Sequence, residues 1–318
     1  MSGNGNRDRE IRSLRPPKPE VDPWKPLDVL LETEWRSEGG IESVVTVFLA
    51  GTECPFTCVF CDLWRYTLDV PTPIGALTRQ IDFALQALGS EADAAQAIKL
   101  YNASNFFDPQ AVPDEELDGI ARRMESYERV VVESHPRLVG RRTWRFAEGI
   151  RGRLEVAMGL ESVHPDVLPR LNKSMTLGDF DRSAAALLEH GVSLRAFVLL
   201  GVPFLRPEDQ AEWSVRAVEH ALGAGAGQVT IIPVRGGNGE MERLATEGSW
   251  TAPTLEQLEE VLERCVSDLE ATVSADLWDI DRLVVCEGCR DRRVQRLESM
   301  NLRRTIPPRV ACARCGWS

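Results

Sequence analysis

The sequence predicts an α/β fold: a parallel sheet of six strand–helix units, followed by a small four-cysteine metal-binding tail. Three observations carry this. Short β-branched runs, apolar on both faces, alternate with helical stretches between residues 41 and 270, the pattern of strands buried between helices. Six such units need about 230 residues, which that span supplies. Two Cys-x₂-Cys pairs, Cys286/Cys289 and Cys312/Cys315, lie beyond it.

In order, IESVVTVFLA (41–50) reads as the first strand. Residues 73–88 place Ile74, Leu77, Ile81, Leu85 and Leu88 at helical spacing. AIKLYN (97–102) is the second strand, and Pro113-Asp114-Glu115-Glu116 opens a helix with proline and acids in its first turn. RVVVES (129–134) is the third strand, followed by a helix near 140–149. LEVAMGLES (154–162) is the fourth, followed by a helix over 176–190 started by Thr176 and Asp179. VSLRAFVLLGV (192–202) is the fifth, with a helix from Pro207, and QVTIIPV (228–234) is the sixth. A last amphipathic helix (254–270) carries Leu255, Leu258, Val261, Leu262, Cys265 and Leu269 on one face, where Cys265 reads as core. Periodicity does not decide whether the sheet closes, and no repeat of solenoid period is present. Residues 1–26 are polar and proline-rich and read as a mobile leader; 27–272 would be the core and 273–318 a zinc-ribbon-like tail.

Composition narrows the function. With 37 Lys+Arg against 49 Asp+Glu, the net charge is −12, which disfavours non-specific, phosphate-driven nucleic-acid binding but leaves room for a local basic groove. No run approaches the roughly 18 apolar residues of a membrane span, and the start of the chain lacks the apolar stretch of a secretory signal. No membrane partner is therefore expected, and the cytoplasm is the expected compartment. Eight cysteines in that compartment are not a disulfide framework.

Three of them fall within eight residues, directly after the first strand: Cys54-Pro55-Phe56-Thr57-Cys58-Val59-Phe60-Cys61. Three thiolates can hold three corners of a [4Fe–4S] cubane, leaving one iron without a protein ligand and open to chelation. Structural zinc suits them less, because no fourth ligand is near in sequence. CxxxCxxC after the first strand, with the aromatic Phe60 before the third cysteine, resembles the signature of the radical S-adenosylmethionine (SAM) superfamily, and the resemblance extends over about 41–240. It implies a partial (βα)₆ barrel whose cluster binds SAM through its amino and carboxylate groups. One electron, from a flavodoxin- or ferredoxin-type donor, would then cleave SAM to a 5′-deoxyadenosyl radical, the protein orienting the cofactor and excluding water.

Ligands of α/β folds sit at the carboxyl ends of the strands. After the second strand, Tyr101-Asn102-Ala103-Ser104 stands where the superfamily often has a glycine-rich turn contacting the methionine amino group. Asn102 and Ser104 could do that work, or could cap a helix. Glu133-Ser134-His135-Pro136 resembles the E-[ST]-x-P turn of the branch containing the Elongator catalytic subunit and the methylthiotransferases. A carboxylate ending an apolar strand needs a partner, either the cofactor's ribose or ammonium, or a neighbouring loop. Gly159-Leu160-Glu161-Ser162 with Leu171-Asn172-Lys173 resembles a stretch of the same branch and of the oxygen-independent coproporphyrinogen oxidases. There Glu161 would meet the ribose hydroxyls and Lys173 the cofactor carboxylate, the alternative for Lys173 being a solvated lysine. Gly201-Val202-Pro203 is similar to the branch's GxPG turn. Pro233-Val234-Arg235-Gly236-Gly237-Asn238-Gly239 would bring backbone close to the adenine.

In the tail, the two cysteine pairs are 22 residues apart and could complete a tetrahedral Zn²⁺ site, an auxiliary iron–sulfur cluster, or neither. A segment this short needs a staple in place of a core. Arg290, Arg292, Arg293, Arg296, Arg303, Arg304 and Arg309 between the pairs are either a solvated face or an RNA-contacting patch.

CDLW (61–64), KLYNASNFFDP (99–109), VESHPRLV (132–139), GLESVHPDVLPRLNKSMT (159–176) and SADLWDID (274–281) resemble the radical SAM subunit of archaeosine synthase and its bacterial relatives. That resemblance implies C–N cleavage at a lysine attached to a 7-deazaguanine in tRNA, with tRNA or a tRNA-modifying protein as partner. Two alternatives stand beside it: a radical SAM enzyme acting on a small molecule, and a cluster-bearing subunit whose tail docks into a complex. No catalytic residue beyond the cofactor sites is identifiable.

Overall fold

The computed structural model describes residues 5–36, 40–269, 272–283 and 286–316. The ends of the leader (1–4) and of the tail (317–318), and positions 37–39, 270, 271, 284 and 285, lie outside the described residues. The expected six strands appear as β2 (Gly40–Phe48), β3 (Ala97–Tyr101), β4 (Arg129–Glu133), β5 (Arg153–Glu161), β6 (Ser193–Leu200) and β7 (Gln228–Pro233), all parallel. Two further strands extend the sheet: β1 (Asp28–Arg36), antiparallel to β2, and β8 (Thr272–Ala275), parallel to β7. Strand order follows sequence order from β1 to β8. β1 escapes a search for apolar runs because DVLLETEWR interleaves charge with its apolar residues. β8 is only four residues long, and the expected core–tail boundary at 272/273 falls inside it.

The helices are α1 (Gly5–Ser13), α2 (Ala76–Leu88), α3 (Ser90–Ala94), α4 (Asp114–Arg123), α5 (Arg141–Gly149), α6 (Leu177–Glu189), α7 (Gln210–Gly223), α8 (Glu240–Thr246), α9 (Leu255–Asp268) and α10 (Arg290–Arg303). Local chemistry sets several starts. Thr176 and Thr254 accept from the N–H three residues on and close capping boxes with Asp179 and Gln257. The outward side chains of the strands, among them Val45, Val47, Ile98, Leu100, Val130, Val132, Val156 and Met158, are fully buried in the main core.

Inside the sheet, the expectation of strands apolar on both faces fails. Lumen-facing Lys99, Arg129, Glu155 and Arg195 form a buried ionic network with β1. Arg195 pairs with Glu155 at 2.6 Å and with Glu34 at 3.0 Å. Arg129 pairs with Glu155 at 2.8 Å, with Glu34 at 3.1 Å and with Glu42. Lys99, Glu155 and Arg195 each lie singly among apolar neighbours in their strands, and only strand pairing brings the network together.

β1 and β8 do not pair with each other. The seam between them is covered by α10, which packs on both. Asn301 of α10 substitutes for a missing strand: it accepts from the Ala275 N–H at 2.8 Å and donates to the Ala275 carbonyl at 2.9 Å. The leader also departs from expectation. α1 lies against the barrel mouth, where Ile11 is buried with Val59, Leu171, Val234 and Met241. Arg7 pairs with Glu240, and Asp8 accepts from Asn172 at 2.8 Å. Arg15 pairs with Glu53 at 2.8 Å and Lys18 with Asp69 at 2.7 Å, so the leader is also tied down beyond α1. Among the described residues no helix is long and apolar enough to cross a membrane.

Candidate active site

The loop leaving β2 carries Cys54, Cys58 and Cys61 and is held from three sides. The Val59 N–H donates to Leu171 O at 3.1 Å. Asn172 Nδ2 donates to Thr57 O at 2.7 Å. Buried Asn238, after β7, donates to Val59 O at 2.8 Å and to Cys61 O at 3.1 Å. The three cysteines are half-buried. Burial pushes Cys54 up to about 11 and Cys61 up to about 12, and raises Cys58 strongly. Such thiols ionise readily only against a cation, the condition under which cysteine ligates a metal.

Around them gather the strand ends. Lys173 is buried and electrostatically close to Cys54, Cys58, Glu133 and His135. Its ammonium pairs with Glu161. Burial alone would lower the Lys173 pKa, but Glu161 and the nearby thiols outweigh it, and the net direction is up. Gly159 makes the pair possible, since a Cβ there would run into both charged groups. β5 bulges between Gly159 and Glu161, and Glu161 takes a positive φ of 68°, strain of the kind stored at functional sites. Glu133 ends β4 and accepts from the Asn102 N–H at 3.0 Å. Burial raises its pKa to about 7, against the pull of the Asn102 and Ala103 N–H groups. His135 is neutral, its pKa pushed down to about 3 by burial and by Lys173. Its Nδ1 accepts from the Arg137 N–H at 3.2 Å, so the proton sits on Nε2 and is donated to Lys173 O at 2.9 Å.

No family model matches this sequence. The archaeosine synthase subunit beta of Methanosarcina acetivorans is 26% identical over 175 residues, covering 52% of this chain and 50% of that protein. The chain therefore spans about half the length of the curated relative it matches. Among solved structures, the Elp3 of Methanocaldococcus infernus aligns with a TM-score of 0.53 at 14% identity, covering 74% of this chain and 60% of its own. SuiB of Streptococcus suis, in a structure bound to S-adenosylmethionine, aligns at 0.51 with 9% identity, covering 73% and 51%. Both neighbours belong to the radical SAM superfamily. The chain has the radical SAM fold.

The residues of this radical SAM fold suit the two groups it implies. The four C-terminal sulfurs are the one set among the described residues gathered closely enough for a single ion. Cys54, Cys58 and Cys61 share one loop without that tight approach, as ligands to separate irons of a cluster would. Beside them, Asn102 Nδ2, Ser104 Oγ and Thr57 Oγ1 are buried without hydrogen-bond partners. Native proteins rarely leave such atoms orphaned, and SAM is rich in the acceptors they lack.

The structure thus brings Asn102, Ser104, Glu133, Glu161 and Lys173 to one end of the radical SAM barrel with the three cysteines. Phe60 sits half-buried against the apolar cluster under α1, and Pro233 ends β7 opposite Leu200. Sequence reasoning passed over Asn105, Phe56 and Asn238. Asn105 is buried and bonds to both Cys54 and His135. Phe56 stacks on the His135 ring, centroids 3.8 Å apart. Asn238 was hidden in a segment read for its glycines, although an asparagine between two glycines is itself a signal of local hydrogen bonding.

The tail cysteines converge, all four sulfurs within 4.8 Å of one another. Cys286 and Cys312 are 4.0 Å apart, Cys289 and Cys315 3.8 Å. The arginines between the pairs are largely spent on acidic side chains. Arg293 pairs with Glu259 and Arg296 with Glu263, each at 2.6 Å, Arg309 with Glu263 at 2.8 Å, and Arg290 with Asp281. The segment is mainly a clasp onto α9, which weakens its reading as an RNA-contacting patch; Arg292, Arg303 and Arg314 remain exposed.

Proposed function

We propose that this chain is a radical SAM enzyme that modifies a base in tRNA. The observation that carries the reading is the set of three cysteines beside Lys173, Glu161, Glu133 and the orphaned polar atoms of Asn102 and Ser104. Cys54, Cys58 and Cys61 would hold a [4Fe–4S] cluster, and the strand-end residues would hold SAM. When bound together, the two supply a 5′-deoxyadenosyl radical. The chain's own part is electrostatic and positional. Lys173 offers a buried cation to a carboxylate, Glu161 accepts from hydroxyls, and the amide of Asn102 and hydroxyl of Ser104 offer donors. The neutral His135 holds the Lys173 backbone, so that the ammonium is presented from a fixed turn.

A 7-deazaguanine in tRNA is the proposed substrate, with C–N cleavage as the proposed reaction, on the match to an archaeosine synthase subunit. The word subunit in that relative's name favours a second reading, in which the chain acts only with a partner protein. The tail supports a zinc assignment: tetrahedral thiolates at about 2.3 Å from zinc lie about 3.8 Å apart, the spacing of the paired sulfurs here. The test is release of 5′-deoxyadenosine by anaerobically reconstituted, reduced protein. Release that rises when tRNA carrying the modified base is added is the expected result. Release without response to tRNA would sink the substrate, and no release from protein with an intact cluster would sink the enzyme reading.

A further inference from the structure

We infer that Asn105 is a positioning residue that donates an N–H···S hydrogen bond to Cys54 and thereby raises the reduction potential of the cluster this sulfur would ligate. The inference rests on the cluster reading above and goes beyond it, to a residue outside the set proposed to ligate the cluster or hold SAM.

The geometry is closed on every side. Asn105 Nδ2 lies 3.0 Å from Cys54 Sγ. The orientation of the amide is fixed by its other end, where Oδ1 lies 2.6 Å from the His135 backbone nitrogen. A backbone N–H only donates, so the oxygen must face it and the NH₂ must face the sulfur. Asn105 is 4% exposed, so water does not compete. Its backbone is pinned on the next residue, where the Phe106 N–H donates to Glu133 O at 2.9 Å and the Phe106 ring packs on Phe146 with centroids 4.8 Å apart. His135 is held in turn by the stacked Phe56, two residues from Cys54. Cys54, Phe56, His135 and Asn105 therefore form a ring of contacts. Among the three loop cysteines, Cys54 alone accepts from a side chain within the described residues. Cys54 also accepts from the Phe56 backbone N–H, at 3.4 Å.

The consequence follows from charge. One-electron reduction adds a negative charge to the cluster and its thiolates, with no proton required. A fixed donor at one sulfur favours the more negative state, and hydrogen bonds to the sulfurs are an established lever on such potentials. Asn105→Leu removes the donor at similar volume. Asn105→Asp keeps an oxygen acceptor for the His135 N–H but places a carboxylate against the sulfur. A purely structural role for Asn105 would be preserved by the aspartate.

The experiment is a mediator-poised redox titration of the anaerobically reconstituted full chain, followed by EPR, with iron counted in each sample. Both variants are expected to retain about four irons per chain and to titrate at a more negative potential, Asn105→Asp further than Asn105→Leu. At the wild-type midpoint, the oxidised-to-reduced ratio is expected to rise roughly fivefold in Asn105→Leu, the worth of one hydrogen bond. A wild-type potential in both variants, with four irons retained, overturns the inference and leaves the cluster reading standing; absence of iron from the wild type overturns both. A second measurement needs no variant. In reduced wild-type protein labelled with ¹⁵N-asparagine, pulsed EPR is expected to show a ¹⁵N coupling and an exchangeable-proton coupling at the cluster, and their absence overturns the inference.

Discussion

Glu161 and Lys173 are buried as a pair at the foot of the cysteine loop, 6% and 7% exposed. Removing one partner of such a pair strands the other charge, at a cost of about 3 kcal/mol or more, while removing both costs far less. Lys173→Met is therefore expected to lower unfolding free energy by about that amount, and Lys173→Met with Glu161→Gln to recover most of it. Additive losses in denaturant titration would show that the two do not act as a unit. His135 makes a pH claim. Its folded pKa of about 3 lies below the ordinary 6.5, so between those values the unfolded chain binds a proton that the folded chain refuses. Stability on this account is full above 6.5 and falls as pH drops towards 3. From pH 7 to pH 5 the loss is about 2 kcal/mol, and His135→Gln should flatten it; equal declines in both proteins would contradict the assignment. The three loop cysteines, Glu133, Glu161 and Lys173 were readable from local motifs. Asn105 was not, because its two partners lie 51 and 30 residues away and nothing local marks it.

The strand–helix units were legible because each states its own period. α6 and α9 announce themselves by Thr176 and Thr254, and α4 by the run of acids after Pro113. β1 and β8 were not legible, since an edge strand is defined by its neighbour as much as by its composition. The seam they leave makes the tail more than an appendage. Cys289 is the residue before α10, and Asn301 at the other end of that helix completes the edge of β8. A metal held by Cys286, Cys289, Cys312 and Cys315 would thus anchor the helix that closes the barrel. Cys312→Ala is expected to lose about one zinc per chain and to speed amide exchange in α10, β8 and β1, while the iron content stays unchanged. Loss of iron from this variant would contradict the zinc assignment, and unchanged exchange at β8 would contradict the clasp.

Across the whole molecule, charge is distributed in a way that the net value of −12 conceals. One end of the lumen is a locked network of Glu34, Glu42, Lys99, Arg129, Glu155 and Arg195, and the other carries the cysteines and strand-end polar residues. Six strands, β1 to β6, contribute to the network, so it acts as a girdle on barrel shape. Arg195→Met leaves Glu155 and Glu34 short of a partner and is expected to cost about 3 kcal/mol or more, with loss of a single cooperative transition as the sharper readout; a change within 0.5 kcal/mol would show that the remaining cations compensate. On the proposed function, both ends of the lumen would serve one arrangement, in which the barrel presents three sulfurs to a cluster with one iron free for SAM. The most direct measurement is EPR of the anaerobically reconstituted, reduced chain with and without SAM, alongside its iron content. About four irons per chain, a signal that shifts on adding SAM, and loss of both iron and signal in Cys58→Ala are the expected results. A signal indifferent to SAM, or iron retained in full without Cys58, would contradict the account.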